Sequence, residues 1–142
     1  MKLAYAQSYR QNSVQTASPG QLILMLLDGA LRFMNRALQG FESTDVAQRN
    51  EAVHINLVKT QAIIDELQGS LNFEVGGEFP RTMSSLYDFM RTQLRTANVR
   101  KDAAPVHTVI ELLGDIRGAW STMLVQQENQ VSTPTAWVAT AA

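Results

Sequence analysis

The chain has no cysteine, which excludes disulfides and thiolate chemistry and fits a reducing cytoplasm, where we expect the protein to reside. Long hydrophobic runs are missing as well. The longest unbroken stretch of large apolar residues is six, positions 22–27, far below the ~20 residues needed to span a bilayer. Residues 1–18 lack the basic start and apolar core of a secretory signal. Neither sign of charge dominates: 12 Lys and Arg face 13 Asp and Glu, giving a net charge of −1. That balance offers no global attraction to nucleic acid or an anionic membrane, and neither is expected as a partner. Proline is scarce, with four residues, and Pro19, Pro80 and Pro105 all fall where a helix is about to begin.

What remains is rich in apolar side chains. The 142 residues are 45% apolar, and a chain of this length buries roughly 70% of its unfolded surface on folding. Ser18-Pro19-Gly20-Gln21 has the pattern of a capping box, so a first helix is expected from there to about Glu42. Val53, Leu57, Thr60, Ile64, Leu67 and Leu71 recur at helical spacing, ending at a loop that contains Gly76 and Gly77. Met83, Leu86, Tyr87, Met90, Leu94 and Ala97 mark a third helix over about 78–98. After Asp102, Val106, Val109, Leu113, Ile116, Trp120 and Met123 mark a fourth, reaching about Gln127. No alternating strand pattern of useful length interrupts them. The expected fold is all-α: an antiparallel four-helix bundle over 18–128, with a mobile N-terminal arm (1–17) and a flexible, disordered C-terminal tail (129–142).

The pattern gives little support to catalysis. Neither His54 nor His107 belongs to an HExxH motif. His107 with Glu111, and His54 with Glu51, read as surface pairs rather than metal or proton sites. Asp65 and Glu66 are adjacent and cannot face each other across one helix. Gly76-Gly77 precedes no phosphate-loop lysine, and no serine sits in a GxSxG elbow. Arg91, Arg95, Arg100 and Lys101 are flanked by Asp88 and Asp102 without interleaved aromatics, which reads as a solvated helix end. No enzyme, metal or cofactor is expected.

The run at 22–27 raises a different question. At about 100° per residue, Ile23, Leu27, Ala30, Met34, Ala37 and Phe41 form one inward stripe, flanked by Leu26 and Phe33. Met25 then points away, Leu22 and Leu24 lie on the shoulders, and Leu31 falls near Leu24. Ile55, Val58 and Ala62 lie partly off the main stripe of the second helix. Two readings are open, and they are compatible. Either the arm bearing Tyr5 and Tyr9, or the tail, covers this surplus within the chain. Or the surplus forms a partner site, since contiguous apolar patches of several hundred Å² mark interaction surfaces. Self-association through the same surface, in a homo-oligomeric regulatory or structural protein, is the alternative function.

Four segments carry a resemblance. AYAQSYRQNSVQTASPGQLILMLLDGALRFMNRAL, LNFEVGGE, LYDFMRTQLRTAN and IRGAW, in this order, resemble the flagellar secretion chaperone family, FliS, over about residues 4–122. The resemblance implies a bundle that binds newly made flagellin in the cytoplasm by its C-terminal segment, prevents premature polymerisation and aids delivery to the flagellar type III export gate. An export-gate component is an implied further partner, and the flagellar anti-sigma factor, bound by some members, is left open here. Tyr9 matches the arm tyrosine that can occupy an apolar pocket of the free protein. Members often carry tyrosine where this chain has Leu27, so any role of that hydroxyl is absent. Asn72, Gly76, Gly77, Asn98 and Trp120 match family positions and are assigned structural roles, while Trp137 lies outside the resemblance. The expected partner-binding residues are Tyr9, Leu22, Leu24, Met25, Leu31, Ile55, Val58 and Ala62.

Overall fold

Each helix of the computed structural model, which describes residues 17–129, begins beside a feature visible in the sequence. Helix α1 spans Pro19–Phe41. The Ser18 hydroxyl accepts from the Gln21 amide and the Gln21 side chain accepts from the Ser18 amide, each at 3.2 Å, so two otherwise orphaned donors are satisfied. Helix α2, Val46–Gly69, starts after Asp45, whose carboxylate accepts from the Gln48 amide at 3.0 Å. Helix α3, Phe79–Arg100, has Pro80 in its first turn, where the missing N–H costs nothing. Helix α4 spans Ala104–Asn129, two residues beyond Asp102, which caps it through the Ala104 amide at 3.0 Å.

The connections are short. A 3-10 turn, Phe73–Val75, followed by Gly76 and Gly77 at φ +80° and +82°, reverses the chain between α2 and α3. Lys101, at φ 51°, closes α3 in the left-handed region and turns the chain toward α4. Among the described residues there is no strand, and α1, α2, α3 and α4 pack in a ring in chain order, with α4 back against α1. This is the all-α four-helix bundle that helical spacing demands. No helix among the described residues is long and apolar enough to cross a membrane. The N-terminal arm with Tyr5 and Tyr9, and residues 130–142 of the tail, lie outside the described residues.

The core follows the expected stripes. Leu27, Met34, Val53, Leu57, Ile64, Leu67, Met90, Leu94, Val106 and Leu113 are buried, each contributing about 1.5–3 kcal/mol. Thr60 is fully buried, and its hydroxyl donates to the Asn56 carbonyl at 2.9 Å. Helices α1 and α2 make the closest pair. A Cβ on Gly40 would stand 3.0 Å from the Ala52 Cβ and 3.3 Å from the Val53 backbone nitrogen, so only glycine lets the two backbones approach this far. Five residues that helical spacing assigns to the core are only half-buried: Phe41, Leu71, Leu86, Ile116 and Met123. Three of them, Leu71, Ile116 and Met123, meet at one opening, which is the candidate site.

Candidate partner-binding groove

The opening lies between α3 and α4, at the end of the bundle where the α2–α3 loop sits. Phe79, Met83 and Tyr87 of α3 form one wall, and Ile116, Ala119, Trp120 and Met123 of α4 the other. Ile23 and Leu27 of α1, which lies across the ring, form the floor, and Ser70 and Leu71 close one end. The volume is about 310 Å³, on the scale of a site for a few large side chains.

Bulky residues line this side of the bundle. Trp120 is wedged against α1, its indole N–H donating to the Gly20 carbonyl at 2.8 Å. A Cβ on Gly20 would fall 2.6 Å from Leu124 Cδ2, so α1 and α4 meet closely at this end. Arg117 Nε donates to Asp28 at 2.8 Å and fastens α4 to α1. That hydrogen bond and the charge of Asp28 raise the Arg117 guanidinium still further above its ordinary value. On the other side, Arg91 Nη2 reaches Asp65 and Gln68 at 2.6 Å each, and Nη1 reaches Asp88 at 3.0 Å, tying α2 to α3. The Tyr87 hydroxyl is pushed up to about 12 by burial, so it stays neutral at ordinary pH. Within the groove, polar side chains come from Ser70, Tyr87 and Trp120 alone, and none is charged. Such a site presents shape and apolar area, not a nucleophile or a general base.

The residues singled out by the sequence fall elsewhere. Leu24 and Leu31 are half-buried and pack against the core. Leu22, Met25 and Val58 are half-buried, Ile55 is 41% exposed, and Ala62 is buried at 8%. Tyr9 lies outside the described residues. These positions are thus less open than the wheel implies, since most of them are half-buried or buried in the packed bundle. In the basic group Arg95 and Arg100 are exposed, as a solvated helix end requires, whereas Arg91 bridges α2 and α3. His54 Nδ1 pairs with the Asn98 amide at 2.9 Å, and Asn98 also accepts from Lys101. Among the described residues no three His, Cys, Asp or Glu side chains gather in one place.

Sequence reasoning placed Ile23, Met83 and Tyr87 in the core correctly, but it missed the groove because it put Ile116 and Met123, which are half-buried, there as well. One signal was available. Leu112, Ile116, Ala119 and Met123 form a second apolar row on α4 beside the row Val106, Val109, Leu113, Trp120 and Leu124. A helix with two neighbours needs fewer apolar positions than that.

Comparisons with known proteins agree in direction. The family model described as flagellar protein FliS matches residues 1–128. A protein of Salmonella typhimurium named flagellar secretion chaperone FliS is 43% identical over 118 residues, covering 82% of this chain and 84% of its own length. A protein of Bacillus subtilis with the same name is 39% identical over 123 residues, covering 87% of each. One from Campylobacter jejuni, again of that name, is 36% identical over 118 residues, 83% of this chain and 88% of its own.

Proposed function

The chain belongs to the FliS family of flagellar proteins, a chaperone family and not an enzyme family, and from that premise we propose that it is a cytoplasmic, ATP-independent export chaperone for flagellin. Its client segment is the C-terminal stretch of flagellin, which is disordered before assembly and helical in the filament. The observation that carries this reading is the uncharged groove of about 310 Å³ between α3 and α4. An apolar face that has nothing to pack against in a lone subunit finds there a surface already ordered by the bundle. The chaperone contributes the pre-organised half of the interface, and the client bears the ordering cost of a few kcal/mol. A client held this way cannot present the same face to another flagellin, which blocks premature polymerisation and delivers an unassembled subunit to the export apparatus.

The half-buried Leu22, Met25 and Val58 and the exposed Ile55 supply a second, shallower apolar strip along α1 and α2. A client that wraps the bundle would cover both. Ala62 lies buried beside that strip, while Leu24 and Leu31 are half-buried on the other flank of α1. Titration calorimetry with a flagellin C-terminal peptide tests the reading. The expected result is about 1:1 binding with a negative ΔCp, the mark of apolar burial. No heat at concentrations on the order of 10 µM would reject it. A tight homodimer that hides α1 in sedimentation would point to the self-association alternative.

A further inference from the structure

The groove opens at the end of the bundle from which the last thirteen residues of the chain leave, 130–142, and that stretch contains a single large aromatic. Apart from Val131, Trp137 and Val138 it is made of small or polar residues. A lone indole in such a stretch has no core of its own to enter. We propose that Trp137 docks in the groove of its own chain, so that the C-terminal tail is a built-in competitor for the client. The proposal rests on the reading of this groove as the client site.

Reach and direction both favour it. Met123 lies six residues before the end of α4, about 9 Å along the axis, and Ile116 about 20 Å. Eight residues lead from Asn129 to Trp137, and an extended segment of that length reaches roughly 26 Å. Trp137 therefore reaches every part of the α4 wall, provided the chain reverses. Pro134 supplies a reason to reverse: it cannot continue a helix and disfavours the helical conformation in the residue before it. The walls suit an indole, being aliphatic and aromatic with no charged group, and Ala119 leaves a gap between the larger Ile116 and Met123. The tail has no charged side chain, so none has to be desolvated against such a surface.

The test uses the intact chain, with the Trp137→Ala variant subtracted so that the emission of Trp137 is separated from that of Trp120. Docking predicts blue-shifted emission shielded from iodide, independent of protein concentration. Ala119→Phe, which fills the gap from an exposed position, is expected to shift that emission to the red and expose it to quenching. A flagellin C-terminal peptide should do the same. If about nine molecules in ten are docked, a chain ending at Asn129 binds the peptide about tenfold more tightly than the full chain. Full quenching of Trp137 in the intact chain overturns the proposal, and so does shielding that survives Ala119→Phe. Shielding that grows with concentration assigns the groove to a second copy's tail instead. An unchanged peptide affinity on truncation removes the competitor role. Shielding relieved by Ala119→Phe in a protein that binds no flagellin peptide would leave the docking standing and defeat the client reading alone.

Discussion

The seam between α1 and α2 and the groove between α3 and α4 are built from the same kinds of apolar residue at the same helical spacing, yet one is closed and the other open. Gly29 and Gly40 line α1 where it meets α2, facing Ile63 and Ala52, and with no side chain in the way the two backbones come together. On the opposite side the bulkier Met83, Tyr87, Ile116, Trp120 and Met123 line the opening between α3 and α4. Side-chain size, rather than hydrophobicity, decides whether two apolar stripes seal against each other. A chaperone can use both outcomes in one bundle: the seam supplies stability, and the groove supplies unspent apolar surface.

Mutations can break this contrast. Leu57→Ala on the sealed side should cost about 2–5 kcal/mol in chemical denaturation, because a fully buried leucine leaves a cavity there. Next in size is an alkaline effect at the groove wall. The folded Tyr87 hydroxyl, raised to about 12 from its ordinary 10.0, contributes stability that is fully present below pH 10 and is lost as pH rises toward 12. That loss is on the order of 2 kcal/mol, and Tyr87→Phe should abolish this component in stability measured across the same pH range.

Ala119→Phe should weaken flagellin-peptide binding about tenfold in calorimetry while leaving stability within about 0.5 kcal/mol, as expected for a substitution on an exposed wall. Equal losses of binding and stability would mean that Ala119 belongs to the core. Ile116→Ala should cost about 1 kcal/mol or less, and a cost matching Leu57→Ala would show that the groove is sealed in solution. Smallest is the Arg117–Asp28 pair, 39% exposed on each side. A double-mutant cycle should return about 0.2–1 kcal/mol at low salt and less at high salt.

Much of the bundle was legible because caps and spacing are local. Ser18 with Gln21, Asp45 before Val46, and Asp102 before Ala104 mark helix starts by the hydrogen bonds they supply. The stripe from Ile23 to Ala37 named the buried face of α1 correctly. The site was less legible. Met25 was read as pointing away and Leu22 as a shoulder from angle alone, but both are half-buried in the packed bundle. Ile116 and Met123 were read as core from the same angular argument, but each is only half-buried, packing against the core on one side and lining the groove on the other.

The order of residues by itself determined four amphipathic helices, their ends and the sides they turn inward, because each depends on contacts within one or two turns of chain. Distances between helices are set by which side chains meet across a gap, and those meetings exist only once all four are assembled. That is why the sequence announced a surplus of apolar surface, and only the packed bundle decided that the surplus lies open between α3 and α4.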